Sequence, residues 1–222
     1  MKKTVLALLL VGFCSWAVTV QAKDWINTPI EEVQQAARGG DAIAQLYLGI
    51  RYTKGIGVPQ DSRQAADWYR KSAERGNVFA QYTLGVLFAS GMGVIQDYQQ
   101  AATWYRKAAE KGNASAQYEL ASMYHNGKGV QRDLRQAAAW FRKAAEQGDS
   151  SAQLNLGAMY AVGQGVVQDH KLAYVWFSVA AANGYTLAMG PRDEVAQELT
   201  PASLAEAQAL AAKYFEKYQP KN

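Results

Sequence analysis

The sequence predicts an all-α solenoid built from helix pairs that repeat every 36 residues. Three observations carry that expectation. Glycines recur at one spacing, as Gly55, Gly91, Gly127 and Gly163, and again as Gly57, Gly93, Gly129 and Gly165. A valine (Val58, Val94, Val130, Val166) and an aspartate (Asp61, Asp97, Asp133, Asp169) follow each glycine pair in the same register. Stripes of helical period flank every turn. A fixed period in the range of about 20–50 residues marks stacked repeat arrays.

The first residues read as a secretory signal peptide. Lys2 and Lys3 precede a mostly apolar run from Val5 to Val18, and Val20-Gln21-Ala22 presents small residues where a signal peptidase cuts. Residues 1–22 are therefore expected to be removed after Ala22. Cys14 would go with them, leaving no disulfide, thiol nucleophile or cysteine metal ligand. Loss of Lys2 and Lys3 lowers the formal charge of +4 by two. No run of Lys or Arg suggests a nucleic-acid or anionic-lipid patch, and no membrane span is expected once the signal is gone.

Residues 23–43 read as a lead-in and half-repeat cap. Lys23 to Thr28 is expected to be loose. Pro29 to Ala37 reads as a helix, with Thr28 as N-cap and Pro29 at the first position, where a missing N–H costs nothing.

Four full units follow over 44–187, at 44–79, 80–115, 116–151 and 152–187. Asp41, Asn77, Asn113 and Asp149 stand before the first helix of each, placed to accept the orphan N–H groups of its first turn. Ala44, Leu48 and Tyr52 draw an i, i+4, i+8 stripe that recurs through Ala152, Leu156 and Tyr160. Gly49, Gly85 and Gly157 sit on that helix, with Ala121 in the third unit. A mid-helix glycine costs about 1 kcal/mol relative to alanine, so its recurrence implies close approach of the partner helix backbone.

The second helix opens at Asp61, Asp97, Asp133 or Asp169. Gln64, Gln100 and Gln136 three residues on complete the pattern of a capping box. Ala65, Trp68, Tyr69 and Ser72, with their counterparts as far as Trp176, Phe177 and Ala180, are expected to be buried. Beyond Tyr185 the period decays. Residues 188–222 read as capping helices: Ala188 keeps a helix start, Thr200-Pro201 is a fresh cap, and Leu204, Ala207, Ala211, Tyr214 and Tyr218 share one face. Pro220 ends the last helix.

Little in the sequence promises catalysis. The repeated aspartates are accounted for as caps. Arg70-Lys71, Arg106-Lys107 and Arg142-Lys143 read as solvated backs of second helices rather than an anion stripe. His125 and His170 are isolated in sequence, and no zinc-ligand pattern occurs. The Gly-x-Gly turns do not follow strands, so a dinucleotide fingerprint is a false match. Neither Ser-x-x-Lys nor Lys-Thr-Gly is present.

The pattern Ala-x-x-x-Leu-Gly-x-x-Tyr-x-x-Gly-x-Gly-Val-x-x-Asp-x-x-x-Ala-x-x-Trp-Tyr-Arg-Lys-Ala-Ala-x-x-Gly resembles the Sel-one-like repeat, a relative of the tetratricopeptide repeat. The resemblance implies a right-handed α/α superhelix of antiparallel helix pairs and a role in protein–protein interaction. Some cysteine-rich members carry a β-lactamase label, from which this chain departs by its cysteine-free mature part.

If tetratricopeptide geometry carries over, the concave, partner-facing positions lie beside the Leu-Gly signature. They are Tyr47, Ile50 and Thr53; Tyr82, Thr83 and Val86; Tyr118, Glu119, Ser122, His125 and Asn126; and Leu154 and Asn155. Leu46, Tyr82, Tyr118 and Leu154 are equally suited to packing between units. The expectation is an exported monomer of the periplasm or exterior, without cofactor, metal or catalytic residue, that binds a protein or peptide segment. Envelope adaptor, host-protein binder and toxin-neutralising immunity protein are the roles open to it. The alternative is a cell-wall hydrolase or β-lactamase-like enzyme.

Overall fold

The computed structural model describes residues 24–219. The expected signal peptide, its cleavage point after Ala22, Cys14 and Pro220 lie outside the described residues. Among those described there are eleven α-helices, a short 3-10 helix at Thr186–Ala188 and no strand. In chain order they are α1 (Ile30–Arg38), α2 (Ala42–Lys54), α3 (Ser62–Glu74), α4 (Val78–Ser90), α5 (Tyr98–Glu110) and α6 (Ala114–Asn126). Then come α7 (Leu134–Ala145), α8 (Ser150–Val162), α9 (His170–Ala182), α10 (Met189–Gln197) and α11 (Pro201–Lys217). From α1 to α10 each helix packs on its neighbours in sequence, most extensively within a pair, and α11 folds back onto α9. The result is the all-α solenoid of helix pairs that the period implies.

The caps form where the sequence puts them. Asp41 accepts from the N–H groups of Ile43 and Ala44, and Asn77, Asn113 and Asp149 each accept from the third residue beyond. Asp61, Asp97 and Asp133 each accept two N–H groups of the second helix, and Asp169 accepts that of Leu172. Thr200 caps α11 through the Ser203 N–H. The capping box, however, is only half built. The N–H of Asp61 donates to Tyr52 O, and Asp97, Asp133 and Asp169 do likewise to Phe88, Tyr124 and Tyr160. The reciprocal donor is thus spent on closing the turn against the previous helix.

First-helix Leu48, Leu84, Leu120 and Leu156 are fully buried. The helical glycines face a ring rather than a backbone. A Cβ on Gly49, Gly85 or Gly157 would lie 2.8, 2.6 or 2.8 Å from Tyr69, Tyr105 or Phe177. In the turns, a Cβ on Gly129 would stand 2.2 Å from the Tyr98 carbonyl oxygen, so that junction is backbone against backbone. Gly93 and Gly165 meet Ser62 and Leu134 at 2.1 Å, whereas Gly57 has nothing nearer than 3.5 Å.

Other expectations need correction. Trp104 and Trp176 are buried, but Trp68 and Trp140 are half-exposed. Lys71, Lys107 and Lys143 lie over the rings of Trp68, Trp104 and Trp140 at 3.9–4.0 Å. Arg106 and Arg142 donate to the hydroxyls of Tyr124 and Tyr160 in the next unit. The Arg-Lys pairs therefore hold rings, which an all-solvated back does not require. The lead-in is not loose either. Trp25 is buried, and Arg51, 4 % exposed, donates through Nη2 to the carbonyls of Trp25 (3.1 Å), Ile26 (2.8 Å) and Thr28. Thr28 does not cap α1, because its hydroxyl donates back to Asp24 O; Pro29 occupies the cap position.

A glutamine in each first helix completes the frame. Gln45, Gln81, Gln117 and Gln153 are buried, and each donates from Nε2 to a carbonyl of the preceding helix, on Ala37, Ala73, Ala109 or Ala145, at 3.0 Å. The amide oxygen is satisfied only in the later units. Gln117 Oε1 accepts from Gln147 and Gln153 Oε1 from Asn183. Gln45 Oε1 and Gln81 Oε1 have no partner among the described residues. The residues equivalent to Gln147 there are Arg75 and Lys111, and the Lys111 ammonium goes to Gly76 O instead.

Candidate functional site

The positions expected to face a partner all lie on first helices, and all but exposed Asn126 are half-buried. Tyr47, Ile50 and Thr53 are on α2. Ile50 joins the apolar cluster around Tyr69, and the Thr53 hydroxyl bonds both Gly49 O and the Tyr69 hydroxyl, the latter at 3.1 Å. Tyr82, Thr83 and Val86 are on α4. The ring of Tyr82 sits 5.9 Å from that of Tyr105, while Thr83 returns its hydroxyl to Phe79 O. On α6, Tyr118 packs at 5.7 Å against Phe141. His125 Nδ1 is 3.2 Å from Asn126 Oδ1, and the Asn126 amide donates to Ser122. On α8, Leu154 packs into the core cluster of the third and fourth units and Asn155 donates to Ser151 O.

The structure draws three of these together with residues not expected at the site. Glu119, Ser122 and Asn126 line a cavity of about 220 Å³ with Tyr98, Tyr105 and Lys128. Burial pushes the Glu119 carboxyl above the usual carboxylate range, and the nearby charge of Asp149 adds to the effect. Asp149 is raised as well by its own burial. Burial raises the phenols of Tyr82 and Tyr118, with Glu119 the next cause, so both stay protonated. Tyr105 is raised furthest, by burial and then by Glu119.

Larger concavities exist, but they belong to the repeat. One of about 880 Å³ lies between α3 and the turn after α4, lined by Arg63, Arg70, Phe88 and Ile95. Its counterpart one unit on, of about 630 Å³, is lined by Arg106, Tyr124 and Arg132. A seam repeated between units is weaker ground for a site than a pocket whose polar groups differ from its neighbours'. Among the described residues no group of His, Cys, Asp or Glu is placed to hold a metal ion. No described helix is long and apolar enough to cross a membrane. His170 Nε2 lies 3.0 Å from Gln168 Nε2.

Comparison with known proteins agrees with this architecture. The model of the Sel1 repeat matches at residues 42–77, 78–113, 114–149 and 150–185. Over 72 residues the chain is 45% identical to the secretory immunoglobulin A-binding protein EsiB of Escherichia coli O6:H1, which is 32% of this chain and 14% of EsiB. The crystal structure of c5321, a protective antigen of uropathogenic Escherichia coli strains, superposes with a TM-score of 0.57 at 36% identity. That match covers 85% of this chain and 48% of c5321. A Sel1 repeat protein from Oxalobacter formigenes gives a TM-score of 0.65 at 42% identity, over 70% of this chain and 46% of the other. The chain thus spans less than half the length of each of these three relatives.

Proposed function

The chain belongs to the Sel1 repeat family, and from that premise we propose that it is an exported binding module whose first helices engage a partner protein or peptide. In this reading residues 1–22 direct export and are removed, 23–43 and 188–222 close the two ends, and the four units between them carry the partner-facing positions. Catalysis has no part in it.

One observation carries the reading. The residue types that recur in register are spent on the scaffold: aspartates cap, glutamines hold carbonyls, and lysines and arginines lie on rings. The residues that change from unit to unit on the first helices stay half-covered, with the rings of Tyr82 and Tyr118 braced on Tyr105 and Phe141. Braced aromatic groups among small polar ones bind proteins at little entropic cost. EsiB is named for binding secretory immunoglobulin A, and we extend binding of a host or envelope protein to this chain.

The test is capture from envelope extract and from host secretions by wild type and by the Tyr82→Leu plus Tyr118→Leu variant. Leu46 and Leu154 occupy the same place in the outer units, so leucine keeps the packing. A partner retained by wild type and lost by the variant is the expected result. Equal retention, or turnover of nitrocefin or peptidoglycan that a single substitution abolishes, overturns the reading.

A further inference from the structure

The cavity between the second and third units differs from its counterparts in one respect. In the first unit the phenol of Tyr69 is bonded by Thr53. One period later the ring is Tyr105 and the threonine is Ala89. Tyr105 is 3 % exposed and lines the cavity, and among the described residues its hydroxyl makes no hydrogen bond. The third and fourth units carry Phe141 and Phe177 there, with no hydroxyl to satisfy. The hydroxyl is not sealed away from solvent but opens onto the cavity, free to bond an incoming group.

Beside it stands a carboxylate in the same condition. Glu119 is half-buried, and it has neither ion pair nor hydrogen bond among the described residues. The charge nearest in effect is Asp149, of like sign. Ser122 and Asn126 stand on the same wall, bonded to each other through the Asn126 amide. Lys128 also lines the cavity, but its ammonium lies over the Tyr98 ring at 3.9 Å and makes no ion pair with Glu119. The cavity thus presents an unpaired carboxylate and an unbonded phenol oxygen beside aromatic faces, which also attract cations.

We infer that this cavity receives the guanidinium of an arginine side chain from the partner, with Glu119 and Tyr105 accepting its N–H groups. The inference rests on the protein-binding reading above and names one residue the partner must present. A guanidinium offers several donors in a planar fork and no acceptor, which complements the carboxylate and the phenol oxygen. The volume, about 220 Å³, falls below the roughly 300–1,000 Å³ of pockets for drug-sized ligands and suits a single side chain.

The probe is the tripeptide acetyl-Gly-Arg-Gly-amide, titrated into the purified protein and followed by amide shifts of Glu119, Ser122 and Asn126. Its citrulline isostere, equal in shape and uncharged, is the control. The arginine peptide is expected to move those amides saturably and the isostere to bind at least about tenfold more weakly. Glu119→Gln should weaken the arginine peptide about tenfold, and Tyr105→Phe about threefold. Phenylalanine already fills that position in the last two units, so the second variant keeps the fold, as its circular dichroism should show. Equal response to both peptides, no saturable shift in wild type, or indifference to both substitutions overturns the inference. Such a failure is separate from that of the broader reading, because the tripeptide tests one side chain while capture depends on Tyr82 and Tyr118.

Discussion

The two ends of the array meet the same demand by opposite chemistry. A terminal unit has an open face that would otherwise meet water. At the N-terminal end, α1 and the turn over residues 24–29 cover α2, and the turn is tied down by Arg51, a buried cation with three carbonyl partners. In later units that position holds Leu87, Met123 or Met159. At the C-terminal end α10 and α11 cover α9 with apolar surface. There Trp176 contacts Tyr214 at 5.2 Å and Tyr218 at 5.6 Å, and the Tyr218 carbonyl collects the amides of Gln153 and Asn183. Fully buried side-chain polar atoms without a partner follow the same divide. Gln45 Oε1, Gln81 Oε1 and Arg51 Nε are without partners in the first half, against Ser178 Oγ alone among the later described residues. In a repeat array stability is approximately a sum of local terms. The N-terminal half should therefore open first.

The largest effect is expected from Trp176→Ala, which empties the C-terminal seal. A buried Trp→Ala change costs about 3–5 kcal/mol. Chemical denaturation should record that loss, and hydrogen exchange should accelerate over α11 while α2 is unchanged. Equal acceleration in α2 would mean that the ends are not independent, and the contrast would fall.

Arg51→Met installs the residue of the third unit and leaves the carbonyls of Trp25, Ile26 and Thr28 without that donor. The cost should be about 1–3 kcal/mol, read as faster exchange over residues 24–38. A variant as stable as wild type would show that the apolar solution serves both ends.

Lys111→Gln should work in the other direction. It offers Gln81 Oε1 the amide that Gln147 gives Gln117, and a gain of about 1 kcal/mol is expected. Thermal unfolding checks it; no gain would show that the asymmetry does not arise from these amides.

Glu119→Gln should produce the smallest shift and one that depends on pH. Its carboxyl is harder to ionise in the folded chain than in the unfolded one. The folded state therefore holds the proton more tightly, and stability falls as pH rises from the ordinary value of 4.5 through the raised one. The variant should melt about 1–2 °C higher at neutral pH, partial exposure keeping the gain small. The difference should vanish below pH 4.5. A neutral-pH melting point at or below that of wild type would show that Glu119 is already compensated.

Much of the scaffold was legible because it depends on local chemistry repeated in register. An aspartate before a helix caps it, and a glycine after one reverses the chain. What escaped reading depended on distant backbone. Gln45, Gln81, Gln117 and Gln153 keep the period faithfully, but a glutamine on a helix reads as solvated until the carbonyl of the previous unit is seen opposite it. Arg51 stands in a place where its counterparts are apolar, and only the returning turn explains it. The capping box failed for a related reason, since the aspartate N–H had a partner across the turn. At the candidate site, the partner-facing positions came from the resemblance. The signal for Tyr105 lay in two aligned columns, Tyr69 with Thr53 against Tyr105 with Ala89, and required knowing that those columns touch.

The turn glycines set how far the whole body can yield. At Gly93, Gly129 and Gly165 main chain rests on main chain, so successive hairpins are locked at a constant pitch, like the divisions of a ruler. Of the four glycines in that column, Gly57 alone has clearance. A partner that demands a different curvature has one compliant joint to work on, and the strain of its embrace will concentrate beside Ile30.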